Sequence, residues 1–114
     1  MHPLTDLLID ILANCPSIQN ADTISAALIE QRLVACSNRY PAIQSAHFWK
    51  GKVEQEEENP LLLKTRIKLG DAVEDAVRML HPYEVPPITR VNVDAANADY
   101  IQWVYDVTRA PQNL

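Results

Sequence analysis

The spacing of apolar residues near the N-terminus changes from that of a strand to that of a helix. Residues 7–13 form a short run rich in branched apolar side chains, and the polar turn around Pro16 ends it. Apolar residues then recur at helical spacing up to about Leu33. Asp22 or Thr23 is expected to cap that helix. The first two elements are therefore predicted to be a strand and a helix.

The middle of the chain alternates between apolar and polar residues around a glycine. Alternation is imperfect over residues 34–52, where Gly51 can take the positive φ that a tight hairpin turn needs. The returning strand is predicted over residues 53–67. Its second half alternates regularly, and one face carries Leu61, Leu63, Thr65 and Ile67. The pattern therefore predicts a long hairpin, one face of which packs on the core.

Two more helices and a strand are predicted in the last third of the chain. Gly70 starts a helix with an apolar stripe, which ends at His81 because Pro82 cannot continue the helical hydrogen bonds. Residues 89–93 alternate as a strand, and residues 98–108 form the last helix. That helix has apolar rows on two faces, so it needs more burial than one sheet can provide.

The order β-α-β-β-α-β-α predicts an α+β fold of the ferredoxin-like type with an extra C-terminal helix. Its four-stranded antiparallel sheet would have a long hairpin between its second and third strands. A chain of 114 residues suits a single domain, residues 1–114. Helices on one sheet face would leave the other bare, with Leu8, Leu12 and Leu62, which favours packing between subunits.

Composition and charge indicate which kinds of molecule this chain is expected to bind. The chain is 47% hydrophobic and 22% charged, as is typical of globular domains. Its net charge is −5, and its basic residues are scattered, so nucleic acid is not an expected partner, whereas a cation or a basic protein surface is. No run resembles a membrane span or a signal peptide, and two cysteines suit a reducing compartment. We expect a cytoplasmic protein that does not contact a membrane.

Three residues could bind a soft metal ion. Thiolate and imidazole are good donors to such ions, and Cys15, Cys36 and His81 are all predicted to lie at the ends of elements. Their spacing matches no compact metal-binding motif. The alternative is that both cysteines are small buried apolar residues and that His81 is a helix-end residue.

Other candidate sites are weaker. The acidic run at residues 54–58 could hold a hard divalent ion, but alternation splits its carboxylates between two faces, which favours an ordinary solvated hairpin face. A Cys-His nucleophile would need an oxyanion hole, and a chain with 2 glycines offers no glycine-rich loop, so an enzyme is not expected. Phe48 and Trp49 could stack on a ligand or anchor a partner subunit, and the second is favoured.

Five blocks of sequence together resemble the CutA family of divalent-cation tolerance proteins. They are residues 32–38 (RLVACSN), 45–54 (SAHFWKGKVE), 63–65 (LKT), 81–86 (HPYEVP) and 100–104 (YIQWV). Their order and spacing agree with the family from about residue 14 to residue 108.

The resemblance implies a homotrimer of ferredoxin-like subunits similar to the PII signalling proteins, with the hairpin reaching onto a neighbour. It also implies tolerance of copper and other divalent metals, with no obligatory cofactor and no established catalytic reaction. The recurring polar and aromatic positions of the family would line clefts between subunits. Here they are Trp49, Lys52, Lys64, Thr65, His81, Tyr83 and Glu84.

The leading hypothesis is a trimeric metal-binding protein that uses Cys15, Cys36 and His81. The alternative is a PII-like signalling or anchoring trimer that binds a small anionic ligand or a partner protein in the inter-subunit cleft. The residues expected to bind such an anion are Lys52, Lys64 and Tyr83. A thiol enzyme ranks last.

Four sites depart from the family pattern. Asp10 puts a charge in an apolar strand, Asn14 replaces a threonine, and residues 47–48 replace a tyrosine-rich pair. Residues 59–60 interrupt an apolar strand with Asn-Pro. Because Pro60 cannot donate to a sheet, we predict a bulge or an edge there.

Overall fold

The computed structural model describes residues 6–111 and has the predicted α+β, ferredoxin-like architecture. Its elements are β1 (Leu8–Cys15), α1 (Ile18–Glu30), β2 (Cys36–Arg39), β3 (Ile43–Trp49), β4 (Lys52–Arg66), a 3₁₀ helix (Ile67–Leu69), α2 (Gly70–Leu80), β5 (Ile88–Asn92) and α3 (Ala98–Val107). The antiparallel sheet has the order β2-β4-β1-β5, and β3 pairs with β4. The second predicted strand is thus split into β2 and β3.

The start of α1 differs from the prediction. The helix is capped by Ser17, whose hydroxyl accepts a hydrogen bond from the backbone N–H of Asn20 at 3.0 Å, so Asp22 and Thr23 lie inside it. A serine just before the first turn satisfies a backbone donor that has no partner within the helix. Among residues 6–111, no helix is both long and apolar enough to cross a membrane.

The core lies between one face of the sheet and helices α1 and α2. Ile11, Leu61 and Leu63 are each 0% exposed and face these helices, as the alternation of the strands predicts. Thr65 is also buried on this side. Ile67 was predicted to continue the core row, but β4 ends before it, and its exposure in the 3₁₀ helix is 36%.

The opposite face of the sheet is only partly bare. Helix α3 reaches it, and Val104 of this helix and Leu8 line one small cavity and are both buried. Leu12 and Leu62, which are paired across β1 and β4, stay half-buried. The predicted bare face is therefore confirmed only for its central part.

The β3–β4 hairpin projects from the rest of the chain. Its turn is formed by Lys50 and Gly51, with φ values of 49° and 85°. The Cα radius of gyration is 15.0 Å, against about 13 Å for a compact chain of this length. Phe48 and Val53 are paired across the hairpin, where they are 72% and 69% exposed. The tip thus carries an exposed apolar pair.

Pro60 marks a change of strand partner along β4. Its pairing with Asn14 of β1 continues without interruption. On the other side, Arg39 pairs with Leu61 whereas Ile43 pairs with Glu58, so three residues face two. The Pro60 carbonyl points to that side, since it accepts a hydrogen bond from the residue 40 N–H at 3.0 Å. Residues 40–42 belong to no strand, so the structure shows a break between β2 and β3 beside Pro60 in place of the predicted bulge or edge.

Candidate functional site

A cleft of about 630 Å³ separates the hairpin from the loop that follows α2. The hairpin supplies one wall, and residues 82–87 supply the other. The side chains that line it are mostly acidic, aromatic or proline: Asn14, Ser45, Ala46, His47, Trp49, Lys50, Glu54, Glu56, Glu58, Pro82, Tyr83, Glu84, Val85 and Pro87.

Strand register places a histidine and two glutamates on the same face of the hairpin. His47 pairs with Glu54, and Ser45 pairs with Glu56. Paired residues and residues two apart share a face of a sheet, so all of these side chains point into the cleft. The potential ligand atoms of His47, Glu54 and Glu56 lie within 4.8 Å of one another. This is the one group of three or more such donors within residues 6–111.

A tyrosine and a buried glutamate form the inner part of the cleft. The Tyr83 hydroxyl donates a hydrogen bond to Glu56 Oε2 at 3.0 Å. Burial, then this hydrogen bond and the charges of Glu56 and Glu58, raise the pKa of Tyr83 far above its ordinary value. The phenol therefore stays protonated at physiological pH and donates this hydrogen bond. Glu58 is 6% exposed, so the prediction of a solvated acidic face is wrong for this residue.

The mouth of the cleft is formed by an aromatic ring and weakly paired charges. Lys50 Nζ lies 5.5 Å from the centre of the Trp49 ring and 3.9 Å from the Glu84 carboxylate. Lys52 Nζ lies 3.9 Å from Glu54. Both lysines are more than two-thirds exposed, so these pairs add little stability.

The cleft has a strongly negative formal charge. Four carboxylates line it against a single ammonium group, that of Lys50. With His47 neutral, the excess is three negative charges. Walls of low dielectric constant concentrate such a field and favour the approach of cations.

His81 has both ring nitrogens occupied. Nδ1 accepts the backbone N–H of Tyr83 at 3.2 Å, so Nε2 carries the proton and donates to the Asn14 carbonyl at 2.7 Å. The side chain is 6% exposed. His81 thus joins the end of β1 to the loop that carries Tyr83, and neither nitrogen is free to coordinate a metal ion.

The two cysteines lie on opposite faces of the sheet. Cys15 pairs with Asn59 and Cys36 pairs with Lys64, five residues further along β4. At about 3.3 Å per residue, this is a separation of about 16 Å along the strand. Cys15, Cys36 and His81 therefore do not converge in one subunit.

Each thiol has a local structural role. Burial, with a smaller effect of Glu58, raises the pKa of Cys15 to about 11, so this thiol stays protonated. Cys36 Sγ lies 3.7 Å from the Tyr100 hydroxyl, and burial, with a smaller effect of this contact, raises the pKa of Tyr100 to about 12. The interpretation of Cys15 as a small buried apolar residue fits these contacts.

The residues expected to line one cleft lie at two different sites in the structure. Trp49, Tyr83 and Glu84 line the hairpin cleft, with Lys52 beside it. Lys64 instead borders a cavity of about 100 Å³ near α3, in the same cross-strand row as Asp10 and Cys36.

Thr65 is structural. Its hydroxyl donates to the Leu33 carbonyl at 2.7 Å, and the residue is 1% exposed. Its side chain holds the end of the α1–β2 connection against β4. The predicted Lys-Thr pair therefore divides between two faces of the sheet, as adjacent strand residues do.

His47 is the site residue that sequence reasoning missed. A signal was present, because a two-residue turn at residues 50–51 fixes the register and places His47 opposite Glu54. The histidine was noted only as a departure from the tyrosine-rich family pattern. Counting outward from the turn identifies the His-Glu pair without a structure.

Comparison with known proteins agrees with the fold. The family model of the CutA1 divalent ion tolerance protein matches residues 9–107. Protein CutA of Homo sapiens is 42% identical over 96 residues, which cover 84% of this chain and 54% of that protein. The chain thus spans about half the length of the mammalian relatives it matches.

Solved structures of similar proteins superpose over nearly their whole length. The divalent cation tolerance protein from Thermus thermophilus has a TM-score of 0.87 and 35% identity, with coverage of 90% of this chain and 100% of that one. The periplasmic divalent cation tolerance protein CutA from Archaeoglobus fulgidus has a TM-score of 0.86 and 29% identity, with coverage of 89% and 98%. This chain belongs to the family of CutA1 divalent ion tolerance proteins.

Proposed function

We propose that this protein binds divalent metal ions in the hairpin cleft and acts in metal tolerance as a homotrimer. The observation that carries the proposal is the acidic lining of the cleft, with four carboxylates against one ammonium group. The family's link to divalent ions supports it. Copper is included as Cu²⁺, which imidazole and carboxylate ligands accept, rather than as Cu⁺ held by thiols.

Assembly into a trimer is supported by apolar surface that one subunit leaves uncovered. Phe48 and Val53 are exposed at the hairpin tip, and Leu12 and Leu62 are half-buried on the sheet face opposite α1 and α2. A projecting two-stranded ribbon is marginally stable alone, so a neighbouring subunit would stabilise it. Light scattering should give a mass three times 12.8 kDa.

Binding is proposed rather than catalysis. The thiol of Cys15 is protonated at neutral pH, and both nitrogens of His81 are occupied, so these two residues do not form an activated nucleophile. We also propose the cytoplasm as the location, because both cysteines are free thiols.

The anionic-ligand alternative is less well supported than cation binding. Lys52 and Lys64 lie on one strand, twelve residues apart, which is about 40 Å at 3.3 Å per residue. Tyr83 faces carboxylates rather than either lysine. A role in anchoring a partner protein is supported by Phe48 and Val53, because their exposed apolar side chains could contact that partner.

Isothermal titration calorimetry of the full chain with Zn²⁺, Cu²⁺ and Ca²⁺ under reducing conditions tests metal binding. We expect saturable binding of at least one ion with a stoichiometry of one per subunit. Absence of binding for all three ions would refute the proposed function.

A further inference from the structure

The histidine and two glutamates near the hairpin turn have the composition of a transition-metal site. His47, Glu54 and Glu56 come from two adjacent strands, so backbone hydrogen bonds fix the spacing of their Cα atoms. We propose that these three side chains bind a divalent transition-metal ion such as Zn²⁺, Ni²⁺ or Cu²⁺. This inference rests on the proposed function and names the ligands and the class of ion.

The distances between the donors are close to those of a formed site. Tetrahedral ligands of one Zn²⁺ ion, each about 2.0–2.2 Å from it, lie about 3.3–3.6 Å apart. The donor atoms of His47, Glu54 and Glu56 lie within 4.8 Å of one another. Rotation of the exposed His47 side chain that moves its ring nitrogen by about 1 to 1.5 Å would close the difference.

Existing contacts of the glutamates leave room for an ion. Tyr83 occupies one site on Glu56 Oε2 and orients the carboxylate, which is how outer-shell partners act in metal centres. The other carboxylate oxygen stays available. Lys52 lies 3.9 Å from Glu54 but is 73% exposed, so an ion can displace it at low cost.

The buried Glu58 gives an independent reason to expect a cation. It lines the same cleft, is 6% exposed and has the Tyr83 hydroxyl as a hydrogen-bond partner, but within residues 6–111 it forms no ion pair with lysine or arginine. A buried carboxylate without a counter-charge is costly. An ion between His47 and Glu56 would supply positive charge beside Glu58.

The donor set selects among divalent ions. Ca²⁺ prefers six to eight oxygen ligands, and Mg²⁺ prefers an octahedron that is largely water. One imidazole and two carboxylates instead equal in number the three protein ligands of open zinc sites, which also combine imidazole with carboxylate and leave the fourth position to water. His47 therefore distinguishes this site from an ordinary acidic surface.

The experiment is calorimetric titration of the full chain with ZnCl₂ and with CaCl₂, in the wild type and four variants. His47→Ala, Glu54→Gln and Glu56→Gln each remove one proposed ligand. Glu57→Gln is the matched control, since it neutralises an exposed glutamate of the same strand on the opposite face. Circular dichroism and light scattering confirm that each variant keeps its fold and assembly.

We expect each ligand variant to weaken Zn²⁺ binding at least about tenfold, because even outer-shell partners contribute about 10- to 100-fold. Glu57→Gln should stay within about twofold of the wild type, since a screened exposed charge acts weakly. In the wild type, bound Cu²⁺ should show nitrogen hyperfine coupling by electron paramagnetic resonance. That coupling should disappear in His47→Ala.

The outcomes separate this inference from the proposed function. Unchanged Zn²⁺ affinity in the ligand variants would overturn the inference and leave metal binding to another site. Tighter binding of Ca²⁺ than of Zn²⁺ would also overturn it, because the imidazole would then contribute nothing. A wild type that binds none of the divalent ions would overturn both.

Discussion

Replacing His81 tests whether this residue is a structural link or a metal ligand. Its side chain is 6% exposed and satisfies two backbone groups, the Asn14 carbonyl at 2.7 Å and the Tyr83 N–H at 3.2 Å. His81→Ala leaves the Asn14 carbonyl and the Tyr83 N–H without their hydrogen-bond partner. An unsatisfied buried group costs about 1–3 kcal/mol, and the Tyr83 N–H is only partly buried, so we expect a loss of about 2–4 kcal/mol in the free energy of unfolding.

The measurement is urea unfolding in EDTA at one fixed subunit concentration, because the stability of an oligomer depends on concentration. His81→Gln is the matched variant, since its amide can still donate to the Asn14 carbonyl, and it should recover part of the loss. Zn²⁺ stoichiometry should be unchanged in folded His81→Ala. A variant with wild-type stability but no bound metal would refute the structural role.

Three further predictions concern the turn, the buried thiol and the hairpin tip. Gly51→Ala should lower the free energy of unfolding by about 1–2 kcal/mol, because a residue with a Cβ is strained at a φ of 85°. No heavy atom lies within 4 Å of the new Cβ, so the loss comes from the backbone conformation and not from a clash. An unchanged melting temperature would contradict this prediction. The unfolded Cys15 thiol ionises near 9.0 but the folded one near about 11, so wild-type stability should fall between these pH values. Cys15→Ala should show a smaller fall, since the raised pKa values of Tyr83 and Tyr100 still lower stability above about pH 10, and identical pH profiles of the two proteins in urea unfolding would exclude the thiol as a cause. Phe48→Glu should leave the circular dichroism spectrum unchanged but lower the mass found by light scattering toward 12.8 kDa; a retained trimer would show that the tip is not an assembly contact.

Departures from the family pattern coincide with distinctive features of this chain. His47 supplies the imidazole of the cleft, and Asn14 lines the same cleft. Pro60 lies where β4 changes its partner from β2 to β3. Asp10 lies in the same cross-strand row as Lys64, so two opposite charges lie side by side on the sheet face opposite α1 and α2.

Local chemistry explains which elements could be predicted. Gly51 sets the hairpin turn, Pro82 ends α2, and alternation along β4 identifies Leu61 and Leu63 as core residues. Each of these effects acts within a few residues of the chain. The start of α1 was misassigned because Ser17, Asp22 and Thr23 are all acceptable caps, and packing of the helix decides among them.

The sequence by itself determined the order of the elements, the turn and the core faces, because these depend on periodicity and on glycine and proline. Only the tertiary structure showed that Cys15 and Cys36 lie on opposite faces, and that His81 uses both nitrogens internally. Only the structure brought the loop with Tyr83 against the hairpin and buried Glu58. Convergence of side chains from distant segments depends on the register of strands that no tight turn joins and on how loops pack, neither of which spacing along the chain encodes.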